Sequence, residues 1–133
     1  MRIKFGAAVA LGAFTLALPL VAHHSFSAEF DGSRSIEMKG VVTKLEWANP
    51  HVYFYIDVKD DKGNVVNWGC ETSGPGGLLR AGWKRDSLKA GDQVTVNGYL
   101  AKDGSHLVDA RNVTLADGRK VFVGTAGDGG PTK

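Results

Sequence analysis

Cysteine occurs once in the 133 residues, at Cys70. A single cysteine excludes an internal disulfide, so the apolar core alone must hold the fold together. The bland expectation for that thiol is an inert, buried side chain within a strand. Histidine is nearly as scarce, with His23, His24, His51 and His106 the only four. Chemistry that needs imidazole is confined to those positions. Long hydrophobic runs are missing after residue 22, which leaves no later candidate for a membrane span. Motifs of catalysis are missing too. There is no HExxH, no paired carboxylates and no serine context, and the glycine-rich "CETSGPGG" at 70–77 has no lysine where a P-loop needs one. An enzyme is therefore not expected.

A surplus of charge is also lacking once the first residues are set apart. Arg2 and Lys4 precede a run from Phe5 to Val21 that is almost wholly Ala, Leu, Val, Phe and Gly. That is the layout of a secretory signal peptide over residues 1–22, with cleavage expected after Ala22; an uncleaved anchor is the alternative. The whole chain has 16 Lys and Arg against 14 Asp and Glu, and loss of Arg2 and Lys4 makes the two sets equal. A neutral exported protein gives no electrostatic case for nucleic acid. The expected compartment is the periplasm, with no stable membrane insertion after cleavage.

What remains reads as strands. "IEMKGVVTKLEW" (36–47) has Val41, Thr43, Leu45 and Trp47 on one face, and Gly40 invites a bulge. "HVYFYIDV" (51–58) alternates cleanly: Val52, Phe54, Ile56 and Val58 point one way, His51, Tyr53, Tyr55 and Asp57 the other. "DDKGN" turns the chain into "VVNWGCE" (65–71). "TSGPGG" breaks the pattern, and "LLRAGW" (78–83) offers a short helix. Strands at 93–100 and 106–113 follow, with a short sixth within "LADGRKVFVG". The order predicts an all-β fold: a small OB-like barrel of five to six strands with a short helix between strands three and four. Leu78, Leu79 and Trp83 would plug one end. A two-sheet sandwich is the rival architecture. The division expected is a signal peptide (1–22), an N-terminal arm (23–35), the barrel (36–124) and a disordered tail (125–133).

Four stretches together carry a family resemblance. They are "AHHSFSAEFD" (22–31), "KGVVTKLEWANPHVYFYIDV" (39–58), "LLRAGWKRDSLKAGDQVTVNGYLAKDG" (78–104) and "VTLADGRKVFVG" (113–124). With them the chain resembles DUF6152, small exported bacterial proteins of unknown function. The resemblance implies a signal peptide that ends just before the paired histidines. It also implies that the Cys70 thiol is no shared functional group, because the family often has an aromatic or small apolar residue there. It assigns no activity.

The candidate chemistry is metal binding. Cleavage after Ala22 would give His23 a free α-amine, and amine plus imidazole nitrogens suit copper or zinc, with copper favoured. His51, placed by "ANP" at the start of its strand, is the expected third ligand, with His24 as a further donor. Glu29 and Asp31 could add oxygen atoms or simply solvate the arm. His106 reads as a surface residue without a partner. The competing reading is a metal-free interaction surface for a protein or carbohydrate. Its candidates are Tyr53, Tyr55, Trp68 and the loop glycines Gly74, Gly76 and Gly77, whose backbone amides could receive an anion.

Overall fold

The computed structural model describes residues 25–131. The elements are α1 (Phe26–Glu29), β1 (Phe30–Glu46), β2 (Tyr53–Lys59), β3 (Val65–Glu71), α2 (Pro75–Arg80), β4 (Gln93–Ala101), β5 (Leu107–Leu115) and β6 (Lys120–Phe122). The strands form one sheet in the order β3-β2-β1-β4-β5-β6, and β3 also pairs with β5. That extra pairing is parallel, at Cys70↔Val108 and its neighbours, whereas every other pair is antiparallel. A ring of hydrogen bonds therefore runs β1-β2-β3-β5-β4 and back to β1. β6 takes over the free edge of β5 at residues 112–114, beyond the part that β3 covers. Closing the ring removes much of the unpaired strand edge that would otherwise recruit other chains. Among the described residues no helix is long and apolar enough to cross a membrane.

The alternating face of β2 builds the main core as its pattern predicts. Val52, Phe54 and Ile56 are fully buried against Val96, Val108, Val113 and Cys70. Each such side chain contributes roughly 1.5–3 kcal/mol on burial. The short helix does fall between β3 and β4. It begins at Pro75, three residues before the expected start, because proline suits a first helical turn. Leu78 of the helix is buried in the main core with Trp83 and Leu88, but Leu79 points outward at 57% exposure and is no part of the plug.

β1 departs from the expected facing. Val42 pairs with Ile56 and Lys44 with Tyr55, so Thr43 is an extra residue in the ladder. An extra residue reverses which side chains point inward. Before it, Met38 and Val42 are buried while Val41 is exposed; after it, Leu45 and Trp47 pack on the core. The four residues expected to share one face are thus split, Leu45 and Trp47 toward the core and Val41 and Thr43 toward solvent. The irregularity sits at Thr43 rather than Gly40. β1 also starts at Phe30, within the segment assigned to the arm.

A second, smaller core lies where both ends of the described chain meet. Phe26, Phe30 and Ala101 are buried together, with Tyr99 and Leu107 alongside. Beside them Arg111 is 1% exposed. Asn97 pairs with Asn112 and Gly98 with Ala110, so Arg111 is the extra residue of a second bulge. The bulge re-aims its side chain off the regular alternation. A Cβ at Gly98 would collide with the Asp109 carbonyl, so only glycine admits this approach. The guanidinium forks onto Asp128, Nη2 to Oδ2 at 2.9 Å and Nη1 to Oδ1 at 3.3 Å. Its Nε lies 2.5 Å from Asp109 Oδ2, an ion pair without a well-directed hydrogen bond. The Phe26 ring covers it, 4.9 Å from centroid to the guanidinium carbon. The Phe26 amide donates to the Asp128 carbonyl at 3.2 Å. The segment read as a disordered tail thus contacts the body of the domain, because Asp128 supplies charge that buried Arg111 requires.

Candidate functional site

The outer face of β2 carries the strongest cluster of polar groups from the sequence reading. Its alternation sends Tyr53 and Tyr55 outward, and His51 precedes them at the mouth of the strand. The approach to His51 runs through a cis Asn49–Pro50 bond. Register then supplies partners. Tyr53 lies directly opposite Glu71 on β3 and donates its hydroxyl to Glu71 Oε2 at 2.7 Å. His51 Nδ1 is 2.8 Å from the Thr72 carbonyl oxygen and 3.3 Å from Glu71 Oε1. A carbonyl only accepts, so Nδ1 carries the hydrogen and the neutral ring keeps its lone pair on Nε2. Thr72 is itself fixed, its amide and hydroxyl both donating to the Val52 carbonyl.

The second tyrosine has a separate network. Tyr55 donates to Glu46 Oε2 at 3.1 Å, and Lys44 pairs with Glu46. The Lys44 ammonium is 5.7 Å from the Tyr55 ring centroid. Burial, then the Glu71 carboxylate, push the Tyr53 hydroxyl well above its ordinary pKa. Tyr55 is raised by burial and then Glu46, while the Lys44 and Tyr55 hydrogen bonds lower Glu46. Both phenols therefore stay protonated and act as donors. The carboxylate of Glu29, the last residue of α1, also raises Tyr53. The N-terminal segment thus passes within electrostatic range of this face.

The other candidates are dispersed. His23 and His24 lie outside the described residues. Trp68 pairs with the buried Ile56 and packs on the core, away from the two tyrosines. His106 is exposed as expected, but it has company: its ring lies tilted against Trp68, 4.8 Å between centroids, and its carbonyl accepts the Gly69 amide. Gly74 sits so close to Pro50 that a Cβ would fall 2.5 Å from the Pro50 oxygen. The amides of Gly77 and Leu78 both donate to the Gly74 carbonyl, so these two are committed to the turn. Gly76 is exposed beside Arg80. Cys70 is fully buried, and burial pushes its thiol up, away from the reactive thiolate. Among the described residues no three His, Cys, Asp or Glu side chains converge as a metal cage. Glu71 and Thr72, the partners that orient His51, went unnoticed in the sequence, because cross-strand register is invisible in a single strand's pattern.

Residues 12–108 match a family described as a family of unknown function, DUF6152. The chain belongs to this family. No curated protein and no solved structure is similar enough to count as a match. The DUF6152 match includes α1, all of β2 and β3, and hence every partner of His51 named above. It ends before Arg111 and Asp128.

Proposed function

We propose that this chain is a periplasmic binding or accessory protein, exported by its N-terminal 22 residues, and not an enzyme. In this reading the hydrogen-bonded ring is an OB-type barrel. The processed N-terminus would bind Cu(II) or Zn(II) through the His23 amine and ring, with His51 Nε2 as the third nitrogen and His24 as a further donor. One observation carries the reading: His51 Nδ1 is tied to the Thr72 carbonyl, which fixes the tautomer that leaves Nε2 for a metal. The proximity of Glu29 to Tyr53 supports a path for the arm toward the same face. Residues of this type suit both ions, and Cu(II) is favoured by intrinsic affinity.

The test is a Cu(II) titration of mature protein with native His23 at its terminus. Two comparisons are needed: His51→Ala, and a form with one extra residue before His23. Affinity should fall in both by about tenfold or more, the usual scale for losing one ligand or its orientation. Equal, weak binding by all three would overturn the reading.

A metal-free reading is favoured by a different observation. Tyr53 and Tyr55 stand side by side with their hydroxyls fixed on Glu71 and Glu46, a preorganised aromatic and acidic surface. Such a face suits a protein or carbohydrate partner. Under this reading Tyr53→Ala would abolish partner binding, while His51→Ala and chelation would leave it intact.

A further inference from the structure

A groove of about 590 Å³ lies away from His51, on the outer side of the sheet where β1 crosses β2 and β4. We propose that it binds a small amphipathic monoanion, a carboxylate headgroup on an apolar chain. The inference is independent of the metal reading, because the groove includes neither His51 nor its partners Glu71 and Thr72, nor Tyr53.

Its apolar part is conspicuous by exposure. Among the described residues only three large hydrophobic side chains are strongly exposed, and two of them, Val41 (40%) and Val65 (52%), line this groove. Val41 faces outward because the Thr43 bulge sets the preceding stretch of β1 with Met38 and Val42 inward. Leu115, half-buried and packed on the main core, borders the groove from β5. Exposed apolar area at a concavity costs solvation free energy that a bound chain would recover. The volume lies within the roughly 300–1,000 Å³ typical of small-ligand sites.

Its polar part has one net sign. Lys39 and Lys59 line the groove, and neither forms an ion pair among the described residues. Register places Lys39 beside Thr95, and Thr95 beside Thr114, so an ammonium and two hydroxyls form one row across β1, β4 and β5. That row would receive the headgroup. Asp57 is the one acidic residue of the lining, and Asn67 Nδ2 already donates to it at 2.8 Å. Two lysines against one aspartate leave a single positive charge, which complements a monoanion. Valine and leucine would hold the chain, and Lys59 adds its charge from the β2–β3 side.

Sodium decanoate is a suitable probe, with decanol as its neutral counterpart, both titrated below the concentration at which they aggregate. Calorimetry and methyl NMR of the whole protein read the outcome. Decanoate should shift the Val41, Val65 and Leu115 methyl signals. The double variant Lys39→Gln, Lys59→Gln should bind it about tenfold or more weakly, the scale of a lost charge-assisted contact. Both lysines are exposed, so the variant should keep the wild-type fold and melting temperature. Equal affinity for decanol and decanoate would overturn the charge assignment. Unchanged decanoate affinity in the double variant, shifts confined to another surface, or no binding would overturn the site.

Discussion

Phe54 and Arg111 are both lost to solvent, and the sheet buries them by different routes. Phe54 lies in an unbroken strand whose every second residue faces inward, among apolar neighbours on all sides. Arg111 lies at a break in the ladder, between an acid on its own strand and an acid 17 positions later. The first burial follows from local alternation and needs only the hydrophobic effect. The second removes a charge from water, and it is tolerable only because Asp109 beside it and the distant Asp128 both stand against it. One core is redundant, with many similar contacts. The other depends on a few groups that must all be present.

The largest expected effect breaks the second core. Arg111→Ala leaves Asp109 and Asp128 facing each other without a cation, and should cost about 3–5 kcal/mol in chemical denaturation. Replacing all three, as Arg111→Met with Asp109→Asn and Asp128→Asn, should recover most of that loss. A triple variant no more stable than Arg111→Ala would show that packing, not uncompensated charge, sets the cost. In the main core the corresponding change is Ile56→Ala, expected to cost about 3 kcal/mol through lost contact and a cavity. No charge substitution should rescue it.

The smallest effect is a dependence on pH. Burial raises Asp109 from 3.8 to about 6; Arg111 opposes that shift, while Asp128 and Glu71 add to it. A raised carboxyl pKa means that the folded state holds a proton which the unfolded state has released. Its penalty is full above about pH 6 and is relieved as pH falls toward the unfolded value near 4. Lowering pH from about 7 to 5 should therefore stabilise the protein by about 1 kcal/mol through this group. Asp31, Asp60, Asp103 and Asp117, all lowered by local hydrogen bonds, act in the opposite sense, chiefly below about pH 4. Thermal melts of wild type and Asp109→Asn at the two pH values would isolate the effect. A gain of equal size in the variant would assign it elsewhere.

The same contrast explains what could be read from the chain alone. The facing of Val52, Phe54 and Ile56 was legible because period-2 alternation is a local property. So were the element order and the position of the short helix. The facing of Val41 was not, since one extra residue at Thr43 inverts a strand and no residue type there announces it. "DAR" at 109–111 likewise gives no sign that two charges turn inward. At the candidate site, His51, Tyr53 and Tyr55 were found by their shared parity. Glu71 and Thr72 were not, because their role arises from register between strands and from a carbonyl that carries no sequence signature.

The hydrogen bond from the Phe26 amide to the Asp128 carbonyl brings the two ends of the described chain together. A short linker between them would close the backbone into a loop, and new termini could be opened at the exposed turn around residues 60–64. Such a circularly rearranged chain would keep the strand pairing and the contact of Arg111 with Asp128.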